Sequence, residues 1–155
     1  MHAGEKPFPH VYEAALDWPG GGPATATAGA RPAILTGPPP EFGGEEAWWS
    51  PEHLLLSAMN ACLMATFGAM ARARGLRVEG YRSRATGVLS KTPGGLAFTS
   101  LALAVTLRAE GGEIERARET LLKAKQRCIV ANALALPVQL EVEIEALTPE
   151  PAAVR

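Results

Sequence analysis

Ser50-Pro51-Glu52 opens the segment that most constrains what this chain can fold into. A serine that can cap, a proline whose missing N–H is harmless in a first turn, and a carboxylate at the positive end of the dipole mark a helix start. Arg72 and Arg74 suit the negative end, and Gly75 suits the left-handed residue just past it, so the spacing predicts a helix from Ser50 to about Arg74. Between these ends Leu54, Leu55, Leu56, Ala58, Met59, Ala61, Cys62, Leu63, Met64, Ala65, Phe67 and Met70 leave little of the surface polar. A helix apolar nearly all round is buried on several sides. One domain of 155 residues covers such a helix with difficulty, so a second subunit is expected to help. Ser57, Asn60 and Thr66 interrupt the run and argue against a transmembrane segment.

Around this helix the chain alternates between extended patterns and turns. Residues 10–18 read as an opening strand, 24–28 as a second and 32–35 as a short third, with Gly20-Gly21-Gly22-Pro23 as a turn and 38–49 as a loop. Residues 76–90 form a strand with partial alternation, and Lys91-Thr92-Pro93-Gly94-Gly95 a hairpin turn. Residues 96–109 follow, with Leu101, Leu103, Val105 and Leu107 on one face at period two. A second helix is expected from Glu113 to about Ile129, with Ile114, Ala117, Leu121, Ala124, Cys128 and Leu122 inward. Last comes a half-buried strand, 137–146, in which Val138, Leu140, Val142 and Ile144 alternate with Gln139, Glu141, Glu143 and Glu145. Strands and helices are segregated, which predicts an α+β domain without repeats and without an internal boundary, its ordered core at about 10–146.

The formal net charge is -1, so nothing draws the chain electrostatically to nucleic acid or an anionic membrane. The first residues lack a signal-peptide layout, and a cytoplasmic location is expected. In that compartment a pair of cysteines is more plausibly transient and redox-active than a permanent disulfide. His2, His10 and His53 have no metal-ligand spacing, and no phosphate-binding, dinucleotide or nucleophile-elbow motif is present.

Two residues are left to carry chemistry, Cys62 and Cys128. Each alone reads first as a small core residue, since unpaired cysteine is among the most buried types. Taken together, one lies mid-helix and the other at a helix end beside Lys125 and Arg127, whose charge would favour a thiolate, although a helix C-terminus works the other way. Spacing alone leaves open whether the two sulfurs meet.

The run Ser50-Pro51-Glu52-His53-Leu54-Leu55-Leu56-Ser57-Ala58-Met59-Asn60-Ala61-Cys62 resembles the helix signature of the OsmC/Ohr family, a Pro-Glu helix start with a cysteine ten residues after the glutamate. Cys128-Ile129-Val130-Ala131-Asn132-Ala133-Leu134 before a strand resembles that family's second motif, and Pro39-Pro40-Glu41-Phe42-Gly43-Gly44 the loop before its long helix. The resemblance implies antiparallel sheets packed on a long central helix and a second helix, in an intertwined homodimer. It implies a thiol peroxidase without metal or other cofactor. Cys62 would attack an organic hydroperoxide and become a sulfenic acid, Cys128 would condense with it to a disulfide, and an external dithiol would restore both. Glu52 would pair with an arginine that stabilises the thiolate, and Arg31 is the only arginine before the helix. Ten residues of helix separate Glu52 from Cys62 by roughly 15 Å, so within that picture the glutamate serves the thiol of a second subunit. Met59, Leu63 and Phe67 beside Cys62 favour an oily substrate. Trp48, Trp49 and Phe42 either line an apolar pocket or plug the dimer core. Two alternatives stay open: a non-enzymatic dimer of the same fold that binds an apolar small molecule, and a structural domain with two core cysteines.

Overall fold

The computed structural model describes residues 7–147, which form two compact units, one up to Leu54 and one from Leu55 onward. The first holds a three-stranded antiparallel sheet, β1 (Ala15–Asp17), β2 (Ala24–Thr27) and β3 (Ile34–Thr36), in that spatial order. β1 is shorter than the opening strand expected over residues 10–18. β2 is four residues long and on this side pairs with Ala15–Asp17 of the opening segment, while Val11 and Tyr12 stay exposed. A turn of 3₁₀-helix, Pro40–Phe42, interrupts the loop that follows. Trp49 then runs parallel to β3: its N–H donates to Leu35 O at 3.0 Å, and its carbonyl accepts from Gly37 N–H at 3.1 Å.

Helix α1 (Pro51–Ala73) starts and stops where its end residues predict. Ser50 caps it, its Oγ accepting from His53 N–H at 3.2 Å. At the other end Gly75, at φ +61°, donates to Arg72 O, and Leu76 N–H reaches back to Ala71 O at 2.9 Å. These two bonds close the last carbonyls in a Schellman motif.

The second unit contains β4 (Val78–Thr92) and β5 (Gly95–Ala109), paired as a long hairpin, then α2 (Ile114–Gln126), α3 (Ile129–Asn132) and β6 (Val138–Ala146). β6 lies beside β5 in parallel register, Leu101 opposite Val138 through Ala109 opposite Ala146. The expected all-antiparallel arrangement is therefore corrected. The helical crossover α2–α3 returns the chain to the same end of the sheet, which is what a parallel neighbour requires. Leu101, Leu103, Val105 and Leu107 of β5 form the centre of the core, with Met59, Leu63, Phe67 and Ala71 of α1 and Ala117, Leu121 and Ala124 of α2. Thr120, absent from the expected inward face, is fully buried because Arg74 Nη1 donates to its Oγ1 at 2.7 Å and that hydroxyl donates to Arg116 O at 2.6 Å. Leu122 points outward instead, 47% exposed.

By length and composition alone α1 could cross a membrane, with a mean hydropathy of 1.7 over its most apolar window, a test that the core helix of a globular domain also passes. One stripe of it is packed into the core, and Ala58, Ala61, Met64 and Ala65 remain exposed on the other side. The sheet and α2 thus cover about what a small domain can cover, and an apolar stripe of α1 is left exposed.

Candidate functional site

Met59, Leu63, Phe67 and Ala71 recur every four residues and set the buried stripe of α1. Cys62, next to Leu63, comes to the edge of that stripe, half-buried and packed against the core. Its carbonyl accepts from Thr66 Oγ1 at 2.8 Å, a bond local to the helix. Met59, Leu63 and Phe67 turn into the core, so they do not offer the oily surface around Cys62 that was expected of them. That surface falls instead to the exposed Ala58, Ala61, Met64 and Ala65.

Cys128 is not the last residue of α2, as its position beside Lys125 and Arg127 suggests, but the N-cap of α3. α2 ends at Gln126, and Cys128 adopts an extended conformation, φ −69° and ψ 104°. Asn132 holds this break: its Nδ2 donates to Gln126 O at 2.8 Å and its backbone N–H to Cys128 O at 2.9 Å.

The two thiols, 66 residues apart in sequence, face each other. Both are free, Cys62 half-buried and Cys128 1% exposed. Burial pushes the Cys128 thiol above its usual range; the backbone N–H groups of Ala131 and Val130 pull the other way, and the sulfur of Cys62, as hydrogen-bond and charge partner, raises it further. Lys125 and Arg127, whose charge favours a thiolate, are not what governs this sulfur: its desolvation outweighs the favourable backbone dipoles. Tyr81 of β4 is a neighbour that the sequence did not single out. Burial raises its phenol above the usual range, and charge on Cys128 acts in the same direction. A lone tyrosine in an alternating strand carries no local signal that a thiol will pack near it.

These surroundings make the thiols unequal. Alkylation of the reduced protein under native conditions is expected to modify Cys62 first and Cys128 last, as read by peptide mass mapping. Cys128 should react as pH rises above the ordinary thiol pKa of about 8.5. The sign for stability follows. The folded state keeps a proton that the unfolded chain has already released. The stabilisation from Cys128 is therefore complete below the ordinary thiol pKa and is lost as pH rises through the elevated folded value. Equal labelling of both thiols at pH 7 would count against this arrangement.

Glu52, in the first turn of α1, is half-buried; its Oε2 is fully shielded and meets no hydrogen-bond donor among the described residues. Arg31 sits in the β2–β3 connection, where its Nη1 donates to Ala28 O at 3.1 Å. The two are not bonded to each other in the protomer. His53 belongs to the helix cap, its Nδ1 2.9 Å from Ser50 Oγ. Phe42 and Trp48 line an apolar cavity with Glu52, whereas Trp49 is held through its backbone against β3.

With this geometry in place, the model of the OsmC-like protein family matches residues 43–143, which contain α1, both cysteines, β5 and the first part of β6. The chain belongs to the OsmC-like family. Among curated proteins this OsmC-like chain is similar to an uncharacterised Bacillus subtilis protein, YmaD, with 23% identity over 86% of this chain and 93% of that one. Its fold is similar to that of an OsmC-like protein of unknown function from Vibrio cholerae, with a TM-score of 0.78, 21% identity, and 86% and 99% of the two chains covered. It is also similar to the fold of an organic hydroperoxide resistance protein from Elizabethkingia anophelis, with a TM-score of 0.71, 17% identity, and 90% and 99% covered. At these identities the likeness is one of fold, in this chain a mixed α+β arrangement of two sheets and the long helix.

Proposed function

We propose that this OsmC-like protein is a thiol-dependent peroxidase that reduces organic hydroperoxides. One observation carries the reading: the half-buried Cys62 and the buried Cys128 face each other from two helical elements, both as free thiols. The chemistry balances with these two groups and one external reductant. The Cys62 thiolate attacks the distal peroxide oxygen, the O–O bond breaks, and the alkoxide leaves and takes a proton as the alcohol. The Cys62 sulfenic acid condenses with the Cys128 thiol, an S–S bond forms and water departs. A dithiol of low potential then reduces the disulfide by exchange, as a reducing cytoplasm supplies. Hydroperoxide resistance in the name of the Elizabethkingia anophelis protein of similar fold supports this class of reaction.

Glu52 and Arg31 complete the proposal as a charged pair assembled in a homodimer. The exposed stripe Ala58, Ala61, Met64 and Ala65 gives a second copy an apolar face to cover. A carboxylate about 15 Å along the same helix from Cys62 serves the thiol of the other copy rather than its own. Arg31 has to exchange the Ala28 carbonyl for Glu52 to take part.

A second reading, a non-enzymatic dimer that binds a small molecule, draws on the apolar cavity beside Glu52. Titration of the reduced protein with an organic hydroperoxide separates the two. The peroxidase reading expects the loss of both free thiols and a Cys62–Cys128 disulfide in the peptide map, reversed by a dithiol; an unchanged thiol count overturns it.

A further inference from the structure

We infer that the end of α2 and the start of α3 form a docking surface for a protein dithiol with an acidic reactive face, the external reductant of the Cys62–Cys128 pair. The inference rests on the thiol-pair reading above and adds to it the kind of partner that restores the pair. Between Thr120 and Leu140 the chain carries three cations, Lys123, Lys125 and Arg127, and no Asp or Glu. Lys123 is engaged by Glu119 on one flank of α2. The side chains of Lys125 and Arg127 close no ion pair or hydrogen bond among the described residues, and Arg127 is exposed. Arg118, Leu122 and Lys125, spaced i, i+4 and i+7, share the other flank of the helix. Arg118 is held there by its Nη1, which donates to Val142 O at 3.4 Å. Leu122 is 47% exposed, and Ile129, directly after Cys128, is 75% exposed, more than any other large apolar side chain described in the second unit.

Exposed aliphatic side chains ringed by cations suit a protein partner: the apolar contact supplies affinity, and the charge selects and steers what docks. Two aliphatic side chains offer no ring on which nucleic-acid bases stack. The acids near this surface do not cancel its charge. Glu115 shares the flank of Arg118 but lies ten residues, about 15 Å, from Lys125 along the helix, beyond the screening length of about 8–10 Å. Glu141, Glu143 and Glu145 alternate with Leu140, Val142 and Ile144, which pack on the core, and so lie on the opposite face of the sheet. The reaction at this surface balances. A thiolate of the partner attacks Cys62, the more accessible sulfur of the disulfide, the S–S bond breaks, and Cys128 leaves as a thiolate and takes a proton. The partner's second thiol then resolves the mixed disulfide, so two electrons and two protons pass to the cysteines and the partner is left as a disulfide.

The test is the rate at which the full-length protein, its cysteine pair oxidised with diamide, is reduced by short peptides that carry one CxxC dithiol. One peptide is flanked by Asp and Glu, the other by Lys, and each rate is divided by that peptide's rate with hydroxyethyl disulfide to remove differences in thiol reactivity. The acidic peptide is expected to be at least about tenfold faster at low salt, and the gap should close near 1 M salt, where the screening length is about 3 Å. The double variant Lys125→Glu, Arg127→Glu should invert the preference, and Ile129→Ser should slow both peptides, while the rate with uncharged dithiothreitol and the thermal unfolding stay unchanged in both variants. Equal normalised rates at low salt, or the parent's preference kept in the charge-reversed protein, overturns the inference. Diamide supplies the disulfide whether or not peroxide does, so a peroxide that forms none counts against the peroxidase reading alone. A pair that diamide cannot join overturns both.

Discussion

Cys62→Ser is expected to abolish hydroperoxide turnover, by on the order of 10³-fold or more in kcat/KM, while Cys128→Ser still reacts once. The asymmetry follows from where the two sulfurs sit. Cys62 is half-buried at the edge of the packed stripe of α1, and Cys128 is 1% exposed with its proton held by burial and by its neighbour. Removing Cys62 removes the nucleophile. Removing Cys128 leaves a Cys62 sulfenic acid with no thiol to condense with, so excess peroxide carries it on to sulfinic acid. The check is stopped-flow consumption of an organic hydroperoxide by each variant, with dimedone trapping of the sulfenic acid in Cys128→Ser. Undiminished turnover by Cys62→Ser, or dimedone adducts at Cys128 instead, would place the peroxide chemistry elsewhere.

The largest stability effect is expected at the centre of β5. Leu107 is fully buried among α1 and α2 side chains, and Leu107→Ala should lower unfolding free energy by about 2–5 kcal/mol, the lost transfer term plus the cavity left behind. In a chain of this size that is a fall in Tm of roughly 10 °C. Leu96 is on the same strand but 56% exposed, so Leu96→Ala should stay within about 0.5 kcal/mol of the parent. Equal losses from the two substitutions, measured by chemical denaturation, would mean that the core does not lie where Leu101, Leu103, Val105 and Leu107 place it.

The two cysteines show how far a sequence reading reaches. Cys62 could be placed on its helix because Ser50, Pro51, Glu52 and Gly75 are local signals whose physics acts within a few residues. The break that makes Cys128 an N-cap left no such signal. Gln126-Arg127-Cys128-Ile129 contains neither glycine nor proline, and the interruption depends on Asn132 reaching back to the Gln126 carbonyl. The pKa of Cys128 is hidden from the sequence for the same reason: Lys125 and Arg127 are neighbours in sequence, but the dielectric around the sulfur is set by what packs on it.

The sequence by itself determined the ends of α1, the inward faces of β5 and β6 and the α+β class, since caps and periods of 2 and 3.6 residues are properties of the local chain. Only the tertiary structure decided that β6 runs parallel to β5, that α2 stops before Cys128, and that the thiols of Cys62 and Cys128 face each other. Alternation reads the same in either strand direction, and contact between groups 66 residues apart depends on how helices and sheet pack, which no local pattern encodes.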